Sequence, residues 1–366
     1  FDRVQAVHQT RENFNLDTEQ NRLLDETFKR FTRSGANLNE NSMKRLTKIN
    51  QSLSSLSDKF DQNILKETNS FSLIIDNEEE LSGLPAEEIR QAAKLAKSEG
   101  HEGKWVFKPT RVSMYPFITY SDQRELREQL YNSYIRRGDN NNEFDNKKII
   151  SEMVSLRIEK ANLMGFDTPA DFVLDNTMAQ NTNRVNDLLQ KIWEPGLATA
   201  QKEAKDMQDL IQQEGGNFQL AAWDWWHYAE KIRQNRFNFT EEEVKPYFSE
   251  DKVLMGAFDV ANKLFDIHFV ERYDLPKYRD NIRSFEVKND QEETIGIFYT
   301  DYTLRPNKGG GAWMNTFRSQ SKFDGNIIPL VINVCNFPPL NEDEVSLLSF
   351  EQVETLFHEF GHALHG

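Results

Sequence analysis

The sequence predicts a mainly α-helical fold with a small mixed β-sheet just before the last helix. From Asp17 to about Val270, apolar residues recur at three- and four-residue steps, the period of an amphipathic helix. After about Asp266 the pattern changes to short runs rich in branched and aromatic residues, which is typical of strands. We therefore predict a helical lobe over residues 1–265, and a small sheet with a final helix over residues 266–366.

The helical elements follow in order along the first region. Apolar stripes over residues 16–31 and 46–64 predict long helices, which usually pack as antiparallel pairs. Residues 188–211 predict another long helix, which ends before Gly215. An aromatic run at residues 223–228 suggests either a ligand platform or the core of a helix, and the core is the commoner use of such a run.

The second region begins with three predicted strands, over residues 282–287, 294–299 and 327–334. Pro329 cannot donate to a ladder, so it must lie at a sheet edge, a strand start or a bulge. The last helix begins near Ser349, because Ser349 and the glutamine three residues later have the spacing of a capping box. An apolar stripe predicts the side of this helix that is anchored in the core: Phe350, Val353, Phe357, Phe360 and Leu364.

The composition argues against several classes of protein. The net charge of −15 over 366 residues repels phosphate backbones, so nucleic acid is not an expected partner. No run of about 18 apolar residues is present, so no membrane span is predicted. The single cysteine, Cys335, cannot form an internal disulfide or a cysteine zinc site, and its strand-like surroundings predict a small buried apolar residue.

The candidate site lies on the last helix, in the run His358-Glu359-Phe360-Gly361-His362. At about 100° per residue, the two histidines lie about 40° and one turn apart, so both imidazoles can reach one zinc ion. Glu359 lies about 60° round from His362, where it can flank the metal and take a proton from a water whose pKa the metal lowers to roughly 7. The pattern predicts a metallopeptidase; the alternative is a helix with two solvated or core-satisfied histidines.

A metallopeptidase zinc has three protein ligands and an open fourth position, and this motif supplies two. His365 lies about 10 Å along the helix axis from His358, which is too far for one ion, so we predict that it is a polar neighbour. The remaining histidines show no ligand spacing: His8, His101, His227 and His268.

A glycine-rich segment precedes the third predicted strand: Gly309, Gly310, Gly311, Ala312 and Trp313. Three residues without side chains let another backbone approach closely, and beside a strand edge a peptide can then dock through main-chain hydrogen bonds. The alternative is a flexible turn. Trp313 either packs under the site or belongs to the core.

Four stretches of the sequence resemble the thimet oligopeptidase family of zinc metallopeptidases. They are the helix at residues 353–366, the aromatic run at 223–230, the glycine-rich segment at 307–314 and the strand end at 333–337. The resemblance runs along the whole chain, and the zinc motif and the Gly-Gly-Ala-Trp run are its most specific parts. It implies a mostly helical, two-lobed zincin with a deep channel that admits short peptides and excludes folded proteins.

The resemblance also implies a cofactor and residues beyond this sequence. The family binds one zinc ion through a third ligand, a glutamate on a helix further downstream, and its substrate-orienting tyrosines and histidine also lie downstream. We therefore expect this chain to be part of a longer, monomeric enzyme. For a chain with one cysteine and this resemblance, the expected compartment is the cytoplasm, and the periplasm is the alternative.

The expected activity is zinc-dependent hydrolysis of oligopeptides. Within the family, one version removes dipeptides from free C-termini and another cuts internally; residues 333–337 and 358–366 favour the first. A non-catalytic peptide-binding protein is the alternative from another class, and the intact Glu359 argues against it. A third possibility is an inert fragment with a two-histidine site.

Overall fold

The computed structural model describes residues 1–305, 307–323, 325–337 and 346–366, except for the side chains of residues 241 and 242. Within these residues the chain forms thirteen α-helices: α1 Asp2–Gln9, α2 Thr18–Arg33, α3 Glu40–Ser70, α4 Ala86–Ser98, α5 Arg111–Tyr120, α6 Arg124–Ile135, α7 Lys147–Leu163, α8 Pro169–Leu174, α9 Thr182–Gln213, α10 Trp225–Phe237, α11 Glu241–Val244, α12 Glu250–Phe265 and α13 Phe350–His365. The same residues form seven strands: β1 Leu73–Ile75, β2 Trp105–Phe107, β3 His268–Arg272, β4 Arg283–Lys288, β5 Thr294–Thr303, β6 Trp313–Arg318 and β7 Leu330–Phe337. The predicted fold class, mainly α with a small mixed sheet, is confirmed.

The backbone packs into two compact units, each assembled from two stretches of the sequence. Unit 1 consists of Phe1–Glu67 and Arg136–Asp206, and unit 2 consists of Thr68–Ile135 and Met207–Gly366. The boundary predicted between residues 265 and 266 falls inside unit 2, where it separates α12 from the strands that follow. As a domain boundary it stays a prediction.

Unit 1 is entirely helical in the residues that the structure describes. The apolar stripes in the sequence form α2 and α3, and α2 begins with a capping box in which Asp17 and Gln20 exchange side-chain bonds to each other's main-chain N–H. The loop before α7 is fixed by the buried carboxylate of Glu67, which accepts hydrogen bonds from the side-chain amides of Asn140 and Asn142 at 2.9 and 2.6 Å. None of the candidate site residues lies in this unit.

The helical part of unit 2 is held by a buried ion-pair network around Asp224. Its carboxylate is fully buried and accepts hydrogen bonds from Arg124 and Arg127, at 2.9 Å from each. The aromatic run that contains Asp224 splits between two environments. Tyr228 is buried in a small core beside α9, whereas Trp226 is partly exposed and packs edge-on against a tyrosine of α5.

A buried histidine in this part of unit 2 makes folding stability depend on pH. Burial, with the nearby charges of Arg127 and Lys231, lowers the pKa of His227 to about 4, although its Nδ1 contacts the carbonyl oxygen of Thr119 at 3.1 Å. The unfolded chain has the ordinary pKa near 6.5, so it binds a proton between pH 6.5 and 4 that the folded chain excludes. Stability from this residue is present above pH 6.5 and is lost as the pH falls.

We expect unfolding free energy to drop by about 2 kcal/mol from pH 7 to pH 5 through this histidine alone. Urea unfolding of the wild type and of His227→Asn at both pH values measures it. Asparagine keeps an N–H that can bond to Thr119 but does not titrate, so its stability should fall less over the same interval. Parallel losses in the two proteins would contradict the assignment.

The larger sheet has five strands in the order β3-β4-β5-β7-β6. β5 and β7 are parallel, with Ile297 opposite Leu330, and the other neighbours are antiparallel. The three predicted strands are confirmed as β4, β5 and β7, and Pro329 lies directly before the start of β7. β3 and β6 were not predicted; β6 is short and lies at one edge of the sheet.

A cluster of phenylalanines joins this sheet to α12 and α13. Phe360 of α13 lies 5.7 Å from Phe258 of α12 and 5.7 Å from Phe298 of β5, measured between ring centroids. Phe269 of β3 lies 5.5 Å from the same ring. Truncating a buried phenylalanine typically costs about 3–5 kcal/mol, so this contact fixes α13 firmly against the sheet. No helix within the described part of the chain has the length and apolar content needed to cross a bilayer.

Candidate metal centre

The helix that carries the zinc motif has a well-defined start. Ser349 Oγ accepts from the main-chain N–H of Gln352 at 3.1 Å, and the Gln352 side chain accepts from the N–H of Ser349 at 2.8 Å. This capping box confirms the predicted start of α13. From this start, the helical period decides which side of α13 each motif residue occupies.

The predicted apolar stripe on α13 is wrong for three of its five members. Phe350, Phe357 and Leu364 are exposed, whereas Phe360 is buried. The face that packs on the core consists of Val353, Leu356, Phe360 and Ala363. Those four recur at steps of three and four residues, and the exposed three lie about a quarter turn round from them. The sequence contains two apolar lines on this helix, and only the tertiary packing selects between them.

The two histidines of the motif come together on the exposed side of α13. His358 Nε2 and His362 Nε2 are 3.2 Å apart, and the ring planes are at 82°. Two nitrogens that bind one tetrahedral zinc at about 2.0–2.1 Å are separated by about 3.3 Å. The separation of the two nitrogens therefore matches that of two ligands of one zinc ion, as the spacing of the histidines predicts.

Glu359 occupies a different environment from its two neighbours. It is only 7 % exposed, and within the described residues no hydrogen bond or ion pair engages its carboxylate. It lies close to Cys335 of β7: burial of the cysteine, and next the negative charge of Glu359, raise the pKa of the Cys335 thiol. Cys335 is fully buried, which confirms the prediction of a small apolar residue. The Glu359 carboxylate is thus buried near β7 and has no partner among the described residues.

The described residues contain no group of three or more His, Cys, Asp or Glu side chains arranged to hold a metal ion. His365 is exposed at the end of α13 and does not complete such a group with His358 and His362. The described part of the protein therefore offers two imidazoles as ligands for a metal ion.

The glycine-rich segment (residues 309–313) leads into β6, the edge strand of the sheet, where Trp313 pairs with Val334. Gly311 has φ +93°, a conformation that glycine adopts without strain. A Cβ added at Gly309, Gly310 or Gly311 would meet no atom of the described residues within 4 Å, so within this part of the chain the segment has open space beside it. The predicted combination of a glycine run and a strand edge is present.

The side chains of β6 divide between the two faces of the sheet. Met314 lies on the α13 face, since a Cβ added at Gly366 would be 2.9 Å from its Cε. Because side chains alternate along a strand, Trp313 and Phe317 lie on the other face, where they line an open cavity of about 210 Å³. Trp313 therefore packs neither under the histidines nor in the core, the two positions that the sequence suggested.

The start of the glycine-rich segment is anchored by a buried lysine. Lys308 Nζ donates to the carbonyl oxygens of Asp301 and Thr303, at 2.8 and 3.2 Å, and also to that of Cys335. Its fourth partner is the Asp301 carboxylate at 3.0 Å, which also accepts two bonds from Arg305. Burial alone would raise the pKa of Asp301, but the bonds from Arg305 and its other donors lower it to about 2. The carboxylate therefore stays charged and holds this anchor at physiological pH.

The sequence assigned no role to Lys308 or to Asn336, which contacts the glycines directly. Asn336 Nδ2 donates to the carbonyl oxygens of Gly309 and Gly311 at 2.8 and 2.7 Å. The only sequence signal was an asparagine at a strand end and a lysine before a glycine run. Neither signal specifies a partner, because the contacts depend on the loop between β5 and β6 reaching the end of β7.

Helix α13 packs on the sheet and carries the paired imidazoles of His358 and His362. This arrangement is that of the HExxH metallopeptidases. Comparison with known proteins narrows that class to one family. The chain belongs to peptidase family M3, whose family model matches residues 117–366. The resemblance to the thimet oligopeptidase family is thereby confirmed.

Individual relatives are similar along nearly the whole chain. Dipeptidyl carboxypeptidase of Escherichia coli (strain K12) is 34 % identical over 367 residues, which cover 100 % of this chain and 54 % of the relative. Oligopeptidase A of Haemophilus influenzae is 34 % identical over 352 residues, 94 % of this chain and 52 % of the relative. An organellar oligopeptidase A of Arabidopsis thaliana is 32 % identical over 379 residues, 100 % of this chain and 48 % of the relative. The chain spans about half the length of the curated relatives it matches.

Proposed function

We propose that this chain is the metal-binding part of a zinc-dependent peptidase that hydrolyses oligopeptides. The observation that carries the proposal is the 3.2 Å approach of His358 Nε2 and His362 Nε2, beside a buried Glu359 that is unpaired among the described residues. Membership of peptidase family M3 supports it. A third ligand, a glutamate, is proposed to come from a downstream region of the whole protein.

In this proposal each residue of the motif has one role. A zinc ion, when bound, supplies a Lewis acid that lowers the pKa of a water to roughly 7 and polarises the scissile carbonyl. His358 and His362 hold the ion through their Nε2 atoms. Glu359 accepts the proton of the attacking water and delivers it to the leaving amine, as a general base and then a general acid. Its buried position restricts competing contacts with bulk water.

We further propose that the substrate docks along the glycine-rich segment and the free edge of β6. An edge strand presents unpaired main-chain groups, and an extended peptide can add to it as another strand. The open space beside Gly309, Gly310 and Gly311 supports this route, because no atom of the described residues lies within 4 Å of where their side chains would begin. Main-chain pairing gives affinity with little side-chain preference, as an oligopeptidase requires.

The finer activity is proposed to be release of dipeptides from free C-termini. The Escherichia coli relative named dipeptidyl carboxypeptidase supports it, as do the runs at residues 333–337 and 358–366. An endo-acting peptidase is the second candidate, since a relative named oligopeptidase A is also 34 % identical. We propose a monomer in the cytoplasm, with the periplasm as the alternative, and short peptides as its partners rather than nucleic acid or membranes.

The two candidates predict different products from one pair of peptides. We would incubate the full-length, zinc-loaded protein with an oligopeptide that has a free C-terminus and with its amidated twin, and identify products by mass spectrometry. A series of dipeptide losses from the free peptide alone is expected. Internal cuts in both peptides would replace the exo-acting proposal with the endo-acting one, and no cleavage of either would favour a peptide-binding protein or an inert chain.

A further inference from the structure

Asn336 holds the glycine-rich segment through two hydrogen bonds. It is the second-last residue of β7, and its single side-chain amino group donates both protons, one to the carbonyl oxygen of Gly309 and one to that of Gly311. The reverse orientation of the amide would place its Oδ1 against two carbonyl oxygens, so the chemistry of the site fixes the orientation. Within the described residues, that Oδ1 is buried without a partner.

Because of this contact, the main-chain groups of the three glycines differ in whether they have a hydrogen-bonding partner. The carbonyls of Gly309 and Gly311 are occupied by Asn336, whereas the main-chain groups of Gly310 have no hydrogen-bonding partner among the described residues. Gly310 is exposed, and no described atom lies within 4 Å of a Cβ placed there, so within the described structure those groups are accessible to a second backbone. The segment thus presents one peptide unit, the Gly310 carbonyl with the Gly311 N–H, that has no partner among the described residues, between two units whose carbonyls are bonded to Asn336.

Without such a contact the glycines would not keep one shape. Glycine loses more conformational freedom on ordering than any other residue, so a run of three is disordered unless something holds it. Lys308 anchors the residue before the run, and the pairing of Trp313 with Val334 anchors the residue after Ala312. Between those two anchors, Asn336 is the side chain that bonds to the glycines in the described structure.

We propose that Asn336 is a positioning residue: by turning the carbonyls of Gly309 and Gly311 inward, it presents Gly310 as the main-chain group that pairs with the peptide substrate. The inference rests on the main-chain docking proposed above. It assigns one of the main-chain hydrogen bonds of that docking to a single peptide unit. It also explains how a glycine run can bind peptides without the ordering cost of a flexible turn.

The test combines Asn336→Asp with an ester scan of the substrate, in the full-length, zinc-loaded protein. Aspartate has the shape of asparagine but no N–H groups, so it cannot hold the two carbonyls. In the scan, each peptide carries one ester in place of an amide, which removes a single N–H donor and leaves the side chains unchanged. In the wild type we expect one position, away from the scissile bond, at which the ester lowers kcat/KM by about 3- to 10-fold.

In Asn336→Asp we expect that penalty to shrink to less than about 2-fold, with the overall loss appearing in KM rather than in kcat. Asn281→Asp is the matched control: it is the same change at an exposed residue just before β4, and it should retain the wild-type pattern. Asn336→Ala removes the donors without adding a charge, and it serves if the aspartate variant does not fold. Failure of both to fold would overturn the inference, because a residue that only positions this segment is dispensable for folding.

Two other outcomes distinguish a failure of this inference from a failure of the proposed main-chain docking. A uniform loss on all substrates, with the ester penalty undiminished, would make Asn336 a structural residue and overturn the inference alone. A wild type that shows no penalty at any ester position would remove the proposed main-chain docking, and the inference with it. Neither outcome would touch the assignment of the histidines and Glu359.

Discussion

Replacing Glu359 with glutamine is expected to lower kcat by about 10²- to 10⁴-fold in the full-length, zinc-loaded protein. Glutamine keeps the shape of the side chain and its buried position beside β7, but it cannot accept the proton of the attacking water. Since Glu359 is not assigned as a ligand, zinc content and peptide binding should stay near those of the wild type. Initial rates on a fluorogenic peptide, with metal analysis of the same samples, measure both quantities.

The matched control is Glu354→Gln, which makes the same change on the same helix at an exposed position. It is expected to retain wild-type activity, so a loss in Glu359→Gln alone would be specific to the position. Hydrolysis by Glu359→Gln near the wild-type rate would refute the proposed proton transfer. Loss of zinc along with activity would instead mean that Glu359 supports the metal site.

The local features of the final helix were predictable because they depend on short spacings. The capping box at Ser349 is set by residues three apart, and the pairing of His358 with His362 by residues four apart. Helix geometry alone converts such spacings into positions on one face. The long helices and three of the strands were predictable for the same reason, since their periods are visible in single segments.

Features that depend on contacts distant in sequence were not predictable. Which of two apolar lines on α13 faces the core is decided by Phe258 and Phe298, about 102 and 62 residues earlier in the chain. The edge strand β6 was not predicted from the sequence. Trp313 and Phe317 suggest a buried segment there, whereas in the structure both side chains are exposed. Asp224 accepts a local bond from the N–H of Ala221, which a sequence can suggest, but its arginine partners lie 97 and 100 residues away.

The same distinction explains why the sequence predicts the site better on the helix than at the glycines. The motif on α13 needs only one regular element to form, and its geometry follows from that element. The shape of the glycine-rich segment depends on Lys308, which lies just before it, and on Asn336, which lies near the end of β7. These contacts form only when the chain after β5 packs against β7. A glycine run in a sequence indicates that many backbone conformations are allowed, and only the folded structure shows which of them is adopted.

Removal of either histidine is the second large effect that we expect. His362→Ala leaves one imidazole of the pair, and zinc affinity should fall by more than about 100-fold, since loss of partners outside the first shell already costs 10- to 100-fold. Hydrolysis should fall to background with the metal. His365→Ala is the matched control, because it removes an exposed histidine three residues away on the same helix and is expected to keep zinc and activity.

Comparing single and double variants tests whether the histidines act on one ion. If both bind the same zinc, then His358→Ala, His362→Ala and the double variant should show nearly the same residual activity, because residues that act as a unit are not additive. Zinc retained after dialysis against a chelator, measured by atomic absorption, should fall in parallel in all three proteins. Additive losses would mean that the two imidazoles, although 3.2 Å apart, serve different functions.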